Sequence, residues 1–82
     1  MNEEKLLIAI ITVIKRKRLQ KGLSQENLAF FSGLDRTYIS GVERGVRNLT
    51  INSLDAIIKG LNISKKDFLK EVITHIEDNR NQ

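Results

Sequence analysis

Between Ser24 and Asn48 the chain reads SQENLAFFSGLDRTYISGVERGVRN, two short apolar-spaced stretches on either side of Gly33. Few backbones accommodate that pattern. Read as two helices, it places Leu28, Ala29, Leu34, Ile39 and Val42 where crossing helices must bury side chains. Ala29 is small where one backbone approaches the other. Glycine at position 33 supplies the positive φ that ends a helix and lets the chain bend sharply. Asp35 precedes RTYISGVER, where a carboxylate can cap the free amides of a second helix. Outward on that second helix lie Arg36, Thr37, Tyr38, Ser40, Gly41 and Arg44.

This is the spacing of a helix-turn-helix whose second helix carries donors and small side chains suited to a major groove. The flanking sequence supplies the supporting helices. Glu3 to Lys21 has acids at its start and bases at its end, as the helix dipole favours, with Leu7, Ile10 or Ile11, Ile14 and Arg18 along one face. Leu6, Ile8 and Val13 exceed what one stripe needs and are available to another element or a partner. Gly22 ends this helix, Leu23 stands at a staple position, and Ser24 caps the next, Gln25 to Ser32. Leu28 and Phe31 share a face there, and Phe30 is expected on the flank of helix one, with an exposed protein contact as the alternative.

After a stop at Gly45, Thr50 caps a helix over Ile51 to Leu61 with Ile51, Leu54, Ile57, Ile58 and Leu61 inward. Ser64 and Asp67 open a fifth, Lys65 to about Glu77, with Phe68, Leu69, Val72, Ile73 and Ile76 at helical spacing. Residues 78–82 read as a frayed polar tail. With no proline and no strand-like alternation, the expectation is one all-α, compact five-helix domain over residues 1–82.

Charge agrees with the motif. Residues 15–50 hold eight basic side chains against three acids, a surplus of five in a chain of net charge +4. The positive excess therefore coincides with the two motif helices, as expected of a surface that faces phosphates. No cysteine is present, which removes disulfides, thiolate catalysis and cysteine-based zinc sites. The nine residues from Leu6 to Ile14, apolar except for Thr12, fall well short of the ~20 that a membrane span requires. Glu3 and Glu4 precede them where a signal peptide would be basic, so the reading is a soluble, cytoplasmic protein. At 82 residues without staples, association with a second copy is a plausible source of stability.

The individual site assignments follow from side-chain chemistry. Arg36, in the first turn of the second motif helix, offers a guanidinium fork that matches the acceptors of guanine. Thr37 suits a thymine methyl or a phosphate, Tyr38 reaches toward the backbone or lies half-buried, and Ser40 shares their face. Ser24 and Gln25, at the start of the first motif helix, are placed to meet a phosphate at its positive end. Arg44, Arg47 and Asn48 follow the second helix, where phosphate or minor-groove contacts belong. Arg18 and Glu43 are charged at inward positions and are expected to pair. Ile51, Asp55, Phe68 and Val72 are the candidate dimer interface. His75 lacks partners of catalytic type, no serine-centred grouping or phosphate-cradling loop occurs, and no metal or cofactor is implied.

IKRKRLQKGLSQENLAFFSGLDRTYISGVERGVRNLTINSLDAIIKGLNIS resembles the lambda-repressor-like, XRE-type helix-turn-helix family, through SQENLA, the central glycine, YIS and the glutamate of GVERG. DRTYISG and RNLT are similar to the controller proteins of bacterial restriction–modification systems, and Leu49, where the wider family often has proline, agrees. The resemblance implies a dimer on short palindromic operators in double-stranded DNA upstream of its own gene. It implies activation of the endonuclease gene, then repression when a second dimer binds cooperatively, which delays the endonuclease until the methyltransferase has protected the host. Arg36, Thr37 and Tyr38 match the recognition positions, with Arg47 and Asn48 in the loop beyond. An activator also needs a contact with RNA polymerase, for which the face of helix two bearing Glu26 is the analogous surface. The competing readings are a phage-type repressor or an antitoxin of the same fold, and a helical protein-interaction module without DNA.

Overall fold

The computed structural model describes residues 5–80 and contains five helices: α1 Leu6–Gln20, α2 Gln25–Ser32, α3 Arg36–Glu43, α4 Ile51–Gly60 and α5 Lys65–Arg80. Glu3 and Glu4, expected to begin the first helix, lie outside the described residues, as do Asn81 and Gln82. The last helix continues past Glu77 to Arg80, three residues beyond the expected end.

The starts and stops have local causes. Ser24 Oγ accepts from the Asn27 amide at 2.9 Å and Asn27 Oδ1 accepts from the Ser24 amide at 3.3 Å, a reciprocal cap on α2. Gly33 ends that helix at φ +67°, and the Leu34 amide reaches back to the Ala29 carbonyl at 2.9 Å. Thr50 and Ser64 cap α4 and α5 by accepting the amides of Ser53 and Asp67, each at 3.0 Å. Asp35 differs from expectation. It occupies the cap position of α3 but makes no side-chain bond to an amide, because its Oδ2 accepts the Thr37 hydroxyl at 2.7 Å.

The core comprises Val13, Ile14, Leu28, Ile39, Val42, Ile57, Leu61 and Phe68, all without solvent exposure. Helix α1 packs against both α5 and α3, so it buries Ala9, Val13 and Ile14 rather than a single stripe. Its first turn, Leu6 to Ile8, stays exposed, which corrects the inward placing of Leu7. Helix α2 turns Leu28, Ala29 and Ser32 toward its neighbours. A Cβ added at Gly60 of α4 would collide with the Ser32 hydroxyl and meet the Ser32 amide nitrogen at 3.1 Å. That backbone-close crossing fixes the rotation of α2 and leaves Phe31 on the flank, 56% exposed, and Phe30 outside at 80%. Neither phenylalanine packs as expected. On α5 the one-turn series Phe68, Val72 and Ile76 faces inward, while Leu69 and Ile73 face out. Phe68 and Val72 are therefore core residues and not a dimer surface. Of the four interface candidates only Ile51, 81% exposed, and Asp55 remain accessible.

Helices α1 and α5 are further joined by Glu71, which lies 2.7 Å from Lys17 Nζ and 3.5 Å from Arg16 Nη2. The hydrogen bond from Lys17 holds the Glu71 carboxyl below its ordinary value of 4.5, against a smaller opposing effect of burial. A depressed carboxylate contributes stability above its unfolded value and loses it as pH falls through the folded one. Glu71→Gln should therefore lower the melting temperature slightly at neutral pH and not at pH 3, as followed by circular dichroism at both values.

Candidate nucleic-acid interface

The recognition segment is held from behind by a buried polar cluster. Arg18 Nε donates to Glu43 Oε2 at 2.7 Å and its Nη2 to Oε1 at 3.0 Å, a bidentate pair with side chains 9% and 3% exposed. Arg18 Nη1 also donates to the Leu23 carbonyl at 2.7 Å, which fixes the turn into α2. Gln25 Nε2 donates to Glu43 Oε1 at 3.1 Å. Four points of the fold thus meet on one guanidinium–carboxylate pair: the end of α1, the α1–α2 turn, the start of α2 and the end of α3. Periodicity pointed to the charged pair but not to Gln25 or Leu23, because no spacing rule connects a side chain to a turn carbonyl.

On the open side of α3, Arg36 and Thr37 are exposed and Tyr38 and Ser40 half-buried. The Thr37 hydroxyl is engaged by Asp35, which leaves the methyl as the uncommitted part of its side chain. The Tyr38 hydroxyl donates to the Asn48 carbonyl at 2.6 Å, and the Arg47 guanidinium lies over the Tyr38 ring, 5.3 Å from its centroid. Gly41, expected outward, is buried. A Cβ there would collide with Cγ of Arg47, and the amides of Val46 and Arg47 both reach the Gly41 carbonyl, at 2.9 and 3.2 Å. Glycine is required at this point so that the loop can lie directly on the helix. Arg44, Arg47 and Asn48 are exposed beside it.

Ser24 and Gln25 lie at the start of α2. Ser24 is occupied as the cap, and Gln25 Nε2 gives one hydrogen to Glu43 and keeps a second with which to donate to a phosphate. Arg36, Thr37, Tyr38, Ser40, Arg44, Arg47 and Asn48 come together on α3 and the loop after it. Among the described residues no group of three or more histidine, aspartate or glutamate side chains could hold a metal ion, and no helix is long and apolar enough to cross a membrane.

Comparison with known proteins agrees with this arrangement. The helix-turn-helix model HTH_3 matches residues 14–68. The control protein C.BamHI of Bacillus amyloliquefaciens is 46% identical over 57 residues, 68% of this chain and 70% of that protein. C.SmaI of Serratia marcescens is 49% identical over 51 residues, 62% of this chain and 61% of that protein. The crystal structure of the restriction–modification controller protein C.Esp1396I is similar with a TM-score of 0.86 at 54% identity, covering 90% of this chain and 97% of that one. The same protein has been solved as a tetramer with its natural 35 base-pair operator, again at 54% identity and a TM-score of 0.86 over 90% and 97% of the two chains.

Proposed function

Because this chain belongs to the HTH_3 helix-turn-helix family and to its restriction–modification controller branch, we propose that it is a sequence-specific DNA-binding regulator of such a system. The observation that carries the reading is the exposed Arg36 at the first turn of α3, beside the Tyr38–Arg47–Asn48 assembly. Helix α3 enters the major groove, with Arg36 on guanine and the Thr37 methyl available to thymine. Arg44, Arg47, Asn48, Ser40 and Gln25 contact the phosphates, with Ser24 presenting the amide end of α2. The protein acts by binding, without catalysis or cofactor, in the bacterial cytoplasm. C.Esp1396I has also been solved with an arginine, a threonine and a tyrosine at three successive positions individually replaced, the residue types and order of Arg36, Thr37 and Tyr38.

A symmetric pair of copies reaches two major grooves roughly 34 Å apart, as a palindromic operator demands. Ile51, with Leu69 and Ile73 on α5, provides exposed apolar surface for the pairing, and Asp55 is tied to Lys65 at 3.1 Å beside it. At low concentration one dimer activates the regulator's own gene and the endonuclease gene, and at higher concentration a second dimer on an adjacent site represses. Footprinting on the DNA upstream of the gene tests the reading: protection of two symmetric half-sites supports it, and uniform protection that does not exceed random DNA refutes it. Arg47→Ala should weaken binding to all sequences alike and reduce the slope of log affinity against log salt by about one. Fluorescence anisotropy across a salt series measures both.

A further inference from the structure

We propose that the groove between the end of α1, the last turn of α2 and the end of α4 docks an acidic peptide segment carrying a bulky apolar side chain. Half-buried Leu23 forms its accessible floor, over the buried Gly60 and Leu61, with Phe31 as one wall and Lys21, Lys59 and Asn62 as its rim, around a cavity of about 430 Å³. No acidic residue lines it. Asp55, one turn before Lys59, is engaged by Lys65 at 3.1 Å, and Glu26 lies one turn before Phe30, outside the groove. Lys21 Nζ donates to the Asn62 carbonyl at 3.2 Å, which sets its ammonium at the rim with further donors to offer. The rim is thus positive and the floor aliphatic. That combination complements a carboxylate-rich segment with one apolar anchor.

Phe30 and Phe31 strengthen the assignment. Their rings meet edge to face, 5.6 Å apart at 71°, and both are exposed beside the groove. A chain seldom leaves two adjacent large aromatics in water without a use for them. DNA phosphate would engage the lysines but has no use for the aliphatic floor. A single nucleic-acid strand would stack on parallel ring faces, which an edge-to-face pair does not supply. The groove draws nothing from α3, so a peptide can occupy it while the recognition helix is in DNA.

The test uses the full chain and a short fluorescein-labelled peptide of aspartate and glutamate around a central Phe-Leu pair. Binding should be saturable, perturb the amide resonances of Phe31, Lys59 and Asn62, and weaken about tenfold with the variant Lys59→Glu or when Phe-Leu is replaced by Ser-Ser. Lys59 is exposed, so its reversal leaves the fold intact, and affinity for the upstream DNA should change less than about twofold. Absence of binding, equal binding by Lys59→Glu, or tighter binding of a labelled oligothymidine overturns the proposal. So does a shift from dimer to monomer in sedimentation of Lys59→Glu, which would give the groove to a second copy.

Discussion

Glu43→Ala should unfold this domain far below the temperature of the unaltered chain. The substitution leaves the Arg18 guanidinium buried with only the Leu23 carbonyl for company, and Gln25 loses its acceptor. Removing one partner of a buried pair costs about 3–5 kcal/mol. In a domain of this size each kcal/mol moves the midpoint by roughly 4–8 °C, so a fall of at least ~12 °C is expected in thermal circular dichroism. The pair itself is a different matter. Since two charges must leave water to form it, the double variant Arg18→Met/Glu43→Leu should recover most of the loss. A change in Glu43→Ala no larger than that of a surface substitution would mean that the cluster does not brace α3.

The second large effect concerns Arg36. Its side chain is exposed, and among the described contacts no hydrogen bond or ion pair restrains it, so Arg36→Ala should leave the melting temperature unchanged. The loss appears on DNA instead: one base pair ceases to be discriminated, at about 1–3 kcal/mol, or roughly fivefold to more than a hundredfold in affinity. Competition between the upstream site and versions with each base pair changed measures this. If Arg36→Ala weakened every sequence equally, as a phosphate contact does, guanine recognition would pass to another residue of α3.

The two effects separate what the sequence could reveal from what it could not. Short-range rules were readable: Ser24, Thr50 and Ser64 cap helices, Gly33 ends one, and the bounds of α2 and the first residues of α4 and α5 follow from them. The Arg18–Glu43 contact was within reach because inward charges require partners. Which flank of a helix turns inward was not, since Phe31 and Leu28 satisfy the same periodicity. The decision rests with Gly60, whose missing side chain lets Ser32 approach and rotates α2. The same ambiguity hid the roles of Phe68 and Val72, which one turn spacing assigns to core or surface equally well. Gly41 was read as outward because nothing in its own helix reveals that the Val46–Asn48 loop folds back over it.

That folded-back loop bears on how binding is divided between heat and disorder. A guanidinium on a flexible stem ordinarily loses several rotatable states when it settles on a phosphate. Here Arg47 rests on the Tyr38 ring and at Gly41, and Asn48 is anchored through its carbonyl, before any duplex arrives. Much of the immobilisation is completed during folding, so the phosphate contact proposed for Arg47 should carry a smaller entropic penalty than a free arm of equal charge would incur. Calorimetry on Tyr38→Phe, which releases the Asn48 anchor but keeps the ring, would register that difference as a less favourable binding entropy.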